Sequence, residues 1–153
     1  MPTMSLQEIS DRIEIDDLLT RYATAVDNKD WDLYTTCFTP DAFIDYTSAG
    51  GIKGTLPEVR DWLAQVLPAF PMTQHVVTNR AVALAGDTAT CRSCFYNPMG
   101  LPEGSSGLVL FIDGGYYNVK LVRTPNGWRI AERIEESVYS TRKHRLMGGG
   151  AGS

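Results

Sequence analysis

Histidine, cysteine and basic residues are all scarce in this chain. Among 153 residues there are two histidines, three cysteines, and 14 Lys plus Arg against 18 Asp plus Glu. Each shortage excludes something. A formal net charge of −4, with no basic stripe, argues against nucleic acid or an anionic membrane as partner. The densest basic cluster, Arg142, Lys143 and Arg145, reads as a short solvated tail. No apolar run approaches the roughly 20 residues of a membrane span. Met1 to Glu8 carries neither the basic start nor the apolar stretch of a secretory leader, so the expectation is a cytoplasmic protein with reduced thiols. Cys91 and Cys94 have CxxC spacing but fall in a strand pattern, where residues three apart point to opposite faces. No second CxxC or histidine pair completes a zinc site. Gly148 to Gly150 follows no strand and precedes no helix, so it is not a phosphate loop. No metal and no cofactor are expected.

What is present is the pattern of one globular domain. Leu6, Ile9, Ile13, Leu18, Tyr22 and Val26 recur at helical spacing and predict a helix over Ser5–Val26, with Glu8, Asp11, Arg12 and Asp16 on its wet face. Ser5 and Glu8 form a capping-box pattern. Asn28 and Lys29 break the helix, and Asp30 caps a second over Trp31–Cys37. A short strand follows at Ala42–Tyr46. A third helix runs over Leu56–Leu67 with Pro57 in its first turn. The period then changes. Thr73–Leu84 and Thr88–Tyr96 read as strands around a hairpin at Ala85-Gly86-Asp87. Asn97–Ser106, with two prolines and two glycines, reads as a loop. Leu108–Arg123 is a long strand with a bend at Gly114-Gly115, and Trp128–Tyr139 is the last strand. Residues 1–140 form a single domain in this reading, and 141–153 a basic, then Gly-rich, disordered tail.

Helices first and strands later predict an α+β fold, with helices on one side of a mostly antiparallel, curled sheet. Such a cone leaves an apolar pocket between the long helix and the concave sheet face. Chemistry is then sought among few candidates. His144 lies in the basic tail. His75 lies in a strand with Val76, Val77 and Thr78, and a buried imidazole needs a partner for each ring nitrogen. Asp27, at the end of the long helix, can supply one, fixing the tautomer and making the imidazole a competent general base. The plainer alternative stands beside it: a core histidine, and an aspartate that only ends a helix.

Three stretches share a pattern with a known family. Ile15-Asp16-Asp17-Leu18-Leu19 leads through Tyr22 to Ala25-Val26-Asp27, then Trp31 and Phe38-Thr39-Pro40-Asp41-Ala42. Gln74-His75-Val76-Val77-Thr78-Asn79 is followed by Gly86-Asp87-Thr88-Ala89. Gly115-Tyr116-Tyr117 is followed by Asn126-Gly127-Trp128-Arg129-Ile130. In order and spacing the chain resembles the SnoaL-like, or nuclear-transport-factor-2-like (NTF2-like), superfamily. That resemblance implies a cone-shaped barrel, its curved sheet packed on a long N-terminal helix and two shorter ones. Within the superfamily the chain is similar to the branch of bile-acid dehydratase, scytalone dehydratase and hexachlorocyclohexane dehydrochlorinase, which are cofactor-free eliminating enzymes.

The resemblance to bile-acid dehydratase implies a site of Tyr22, Asp27, Tyr46, His75 and Arg133. A dehydrochlorinase pattern has Lys where this chain has Tyr22, which favours loss of water over loss of halide. Five residues apart on a helix, Tyr22 and Asp27 sit about 140° round the axis, so they flank one pocket. Arg133 would hold an enolate or carboxylate, yet its strand parity is opposite to that of Trp128 unless a bulge intervenes. A surface ion pair with Glu132 or Glu135 is its rival role. The implied activity is dehydration of a small hydrophobic cyclic substrate such as a steroid or polyketide. The alternatives are a proton-shuttling isomerase like ketosteroid isomerase and a non-catalytic binding module. A homo-oligomer is expected, trimer ahead of dimer, through a sheet face with several of Val109, Phe111, Tyr117, Val119 and Leu121.

Overall fold

In the computed structural model, residues 2–142 are described. His144 and the Gly-rich tail lie outside them. The first helix, α1 (Leu6–Asn28), starts on the expected capping box: the Ser5 hydroxyl accepts from Glu8 N–H, and the Glu8 carboxylate accepts from Ser5 N–H. It stops where Lys29 turns left-handed at φ 55°. Asp30 then caps α2 (Trp31–Thr36) by accepting from Leu33 N–H. After β1 (Phe38–Asp45) and a short β2 (Lys53–Thr55) comes α3 (Leu56–Val66). The rest is strand: β3 (Met72–Thr73), β4 (Val76–Ala85), β5 (Thr88–Glu103), β6 (Gly107–Thr124) and β7 (Gly127–Ser140).

One sheet runs β2-β1-β7-β6-β5-β3, with β4 also paired to β5. All pairings are antiparallel except β1 with β7. This is the expected α+β cone. It curls where the β6–β7 register slips between Gly114 and Gly115. A Cβ on Gly115 would sit 2.0 Å from the carbonyl oxygen of Glu136, so only glycine permits that close approach. Among the described residues no helix is long and apolar enough to cross a membrane.

Three expectations about elements need correction. Asn97–Ser106 is not a loop: β5 runs to Glu103 and pairs with β6 throughout. Asn97 and Met99 lie opposite the inward-facing Asp113 and Phe111 of β6, and this long ladder overrides the local preference of Pro98 and Pro102. His75 lies just before β4, not within a strand. Tyr46 follows β1, whose first residue is Phe38.

The inward stripe of α1 also differs from expectation. Ile15, Leu18, Leu19, Tyr22 and Val26 are buried, but Leu6, Ile9 and Ile13 are exposed, and Asp11 is buried. The first turns of α1 turn a polar residue inward because the sheet offers it partners. Arg123 donates to both Asp11 oxygens (2.7 and 2.8 Å), Trp128 Nε1–H donates at 3.0 Å and Gln7 Nε2–H at 3.0 Å. Beyond it, Ile15, Leu18 and Leu19 join Ile44, Val119, Leu121 and Trp128 in the core. Each such side chain contributes about 1.5–3 kcal/mol by leaving water.

Phe111, Tyr117, Val119 and Leu121 belong to that inner face and are buried within one chain, so they do not form an open surface. The outer face instead exposes Tyr96, Leu108, Leu110 and Tyr139. Thr141 and Arg142 still contact the sheet. Ile112 N–H donates to Thr141 Oγ1 at 2.8 Å, and Arg142 donates to Asp113 at 3.1 Å.

Asp11 supplies a stability test. Hydrogen bonds from Arg123, and then from Trp128 and Gln7, hold its carboxyl well below the ordinary range against the opposing effect of burial. A carboxyl depressed on folding stabilises fully above its unfolded pKa, about 4, and loses that effect as pH falls further. Asp11→Ala is expected to cost about 2 kcal/mol at pH 7. In urea titrations the gap to the parent should narrow towards pH 2.5. A gap absent at pH 7, or unchanged by acid, refutes the buried pair.

Candidate active site

The last turn of α1 and the segment before β4 meet at two bonds. Asp27 Oδ2 accepts from the His75 backbone N–H at 2.8 Å, and Asp27 Oδ1 lies 2.6 Å from His75 Nδ1. A carboxylate in the last turn of a helix faces the negative end of the helix dipole, an unfavourable place worth about 0.3–1 kcal/mol. Capping does not explain it; the histidine does. Burial raises the Asp27 carboxyl, but the His75 hydrogen bonds outweigh that and leave it below its ordinary value. Asp27 is therefore an acceptor at neutral pH. A neutral His75 must then carry its proton on Nδ1, which leaves Nε2 free. His75 lines a cavity of about 440 Å³, within the usual range for a ligand pocket.

Apolar groups make most of that wall, among them Val26, Trp62, Leu63, Phe70, Phe95 and Met99. Tyr22 and Tyr46 also line it. Their hydroxyls are 2.7 Å apart, and Tyr46 is bonded in turn to the Tyr34 hydroxyl at 3.2 Å. Burial raises all three phenols, Tyr46 and Tyr34 most.

The bulge that decides the place of Arg133 is present. Leu121 faces Ile130 and Lys120 faces Glu132, so Ala131 is the extra residue. Trp128, Ile130 and Arg133 consequently all point inward and are fully buried. The guanidinium lies 3.5 Å from the Tyr22 ring centroid and 3.7 Å from that of Tyr117. None of its nitrogens has a hydrogen-bond partner among the described residues. Glu132 pairs with Lys120 instead, at 2.9 Å. Arg133 is thus neither a surface ion pair nor part of the cavity wall. Tyr22 and Tyr117 stand on that wall, and Arg133 braces them.

Two carboxyls on the wall, Asp113 and Glu135, were not among the expected site residues. Burial pushes Glu135 up to about 7, with Asp113 adding and Arg133 and Tyr117 opposing. The signal was available in part: once Arg133 is inward, period two puts Glu135 on the same face. The bulge that turns Arg133 inward was not readable.

Similarity to known proteins gives the family and the fold. Residues 7–134 match the SnoaL-like domain, and the chain belongs to that family. The Mycobacterium tuberculosis protein Rv2910c is 45% identical over 136 residues, covering 89% of this chain and 91% of its own. The Kfla4162 protein of Kribbella flavida superposes with a TM-score of 0.80 at 28% identity, covering 90% of this chain and 97% of that one. A hexachlorocyclohexane dehydrochlorinase from Novosphingobium barchaimii superposes at 0.75 with 20% identity, covering 88% and 91%. Further structural neighbours carry dehydratase assignments. At such low identity these last matches speak for the fold.

The Asp27–His75 geometry has a direct readout. In ¹⁵N spectra of the histidine rings, one imidazole should be locked with its proton on Nδ1, and Asp27→Asn should release it or reverse it. Two rings that both show the mixed tautomers of free histidine, indifferent to Asp27, would contradict the pairing.

Proposed function

We propose that this protein is a cofactor-independent lyase that removes water from a small hydrophobic cyclic substrate. The observation that carries the reading is the Asp27–His75 pair, with Nδ1 engaged at 2.6 Å and Nε2 left to take a proton in an apolar cavity. His75 removes an acidic proton next to a carbonyl. Asp27 orients the ring and stabilises the imidazolium that forms. Tyr22 and Tyr46 hydrogen-bond the substrate oxygen on which charge develops. Arg133 acts at one remove, holding the Tyr22 and Tyr117 rings and supplying positive potential behind them. The largely apolar wall supports a steroid-like or polyketide-like ring system. Neighbours of the same fold named as a dehydrochlorinase or assigned as dehydratases support elimination.

A panel of hydroxylated cyclic ketones, followed by mass and by enone absorbance, tests this. Turnover with loss of 18 mass units is expected, falling about 10²–10⁴-fold in His75→Gln. Product of unchanged mass identifies an isomerase, and a variant as active as the parent removes His75 from the chemistry.

The same reading includes a homo-oligomer, trimer ahead of dimer, covering the exposed Tyr96, Leu110 and Tyr139. Light scattering that returns a monomer of 16.9 kDa would exclude it.

A further inference from the structure

Loss of water needs a second proton movement, because hydroxide is a poor leaving group. The phenols are poorly suited to it. An ordinary phenol titrates near pH 10, and burial raises Tyr22 and Tyr46 further. They can donate hydrogen bonds, but they transfer protons reluctantly near neutrality. We propose that Glu135 is the proton donor of this pocket, a neutral carboxylic acid that protonates the departing oxygen while His75 takes the carbon-bound proton. This rests on the dehydratase reading above.

Position supports the assignment. Glu135 lines the same cavity as His75. In register it faces Tyr117 on β6, which faces Ser93 on β5. His75 leads directly into β4, the strand beyond β5. The two groups therefore reach one cavity from different strands, with β6 and β5 lying between them in the sheet. The Glu135 backbone is held in place: Ser48 Oγ donates to its carbonyl oxygen at 2.8 Å and accepts from Ser137 N–H at 2.9 Å.

Charge around it is mixed. Burial favours the neutral acid, and Asp113 on β6 and Asp45 at the end of β1 add to that. Arg133 on its own strand and the Tyr117 hydroxyl favour the anion. Tyr22 of α1 lies against the Arg133 guanidinium, and Arg142 is bonded to Asp113. The outcome is a carboxyl balanced at about 7, which suits an acid that must give up and regain a proton at neutral pH.

The step balances. His75 Nε2 takes the proton from carbon, and the C–H electron pair becomes the new C=C bond. The C–O bond breaks with its pair on oxygen, which accepts the Glu135 proton and leaves as water. The imidazolium then loses a proton to solvent, and the carboxylate gains one. Above neutrality Glu135 is ionised, so the rate falls as pH rises.

The test is the pH dependence of turnover of the ketone panel by the parent, Glu135→Gln and Glu135→Asp, with KM and kcat separated. Glutamine keeps the shape and can donate a hydrogen bond but cannot release a proton. A fall in kcat of about 10²-fold in Glu135→Gln, with KM little changed and the loss of rate above pH 7 abolished, supports the donor, as does partial recovery in Glu135→Asp. Glu135→Gln with the parent kcat and the parent alkaline limb overturns it while leaving the dehydratase reading intact. A parent inert on every ketone removes that reading and the donor with it. Carboxyl ¹³C spectra of glutamate-labelled protein read the group without substrate: no resonance titrating near pH 7 that Glu135→Gln deletes also overturns the proposal.

Discussion

A buried guanidinium with no hydrogen-bond partner among the described residues is an expensive thing to place in a protein. Desolvating such a charge costs several kcal/mol. Arg133 is tolerated because two aromatic faces close on it, Tyr22 from α1 and Tyr117 from β6, each worth about 2 kcal/mol when water is excluded. The stack does more than house a charge. It joins the long helix to the two central strands and determines the depth and rotation at which α1 lies on the sheet. Asp27 follows Tyr22 on the same helix, so its emergence beside His75 depends on that seating. Glu135, two residues beyond Arg133 on one strand, is held against full neutralisation by the same cation.

Polar groups inside this cone are consequently sorted along α1. Near its start Asp11 ties the helix to Arg123 and Trp128. In its middle the Arg133 stack sets the spacing between helix and sheet. At its end Asp27 takes two hydrogen bonds from one histidine. The first two serve stability, and the third leaves His75 Nε2 without a hydrogen-bond partner among the described residues, on a cavity wall. Chemistry collects at the end where the curl of the sheet keeps strands and helix apart.

Much of this could be read in the chain. The capping box of α1, the break at Lys29, the Asp30 cap, the Gly86 hairpin and the bend at Gly114-Gly115 are local, and local rules found them. Tyr22, Asp27, Tyr46 and His75 were brought together by resemblance, and the structure gathers them at one cavity, with Asp27 behind His75. Asp11 was misread because its periodicity matches a wet face, and nothing nearby in sequence announces Arg123 and Trp128. The prolines of β5 suggested a loop because a ladder with β6 is a long-range fact.

Sequence by itself determined the helices, the tight turns and most of the strands, and which residues are scarce enough to carry chemistry. Helical capping, turn geometry and two-residue alternation act over a few neighbours and are written in them. Tertiary structure decided the facing of side chains wherever one extra residue changes parity. The single inserted residue at Ala131 turns Arg133 from surface to core, and with it Glu135 towards the cavity. Such a bulge arises from pairing between distant strands, so it exists only once the sheet has formed.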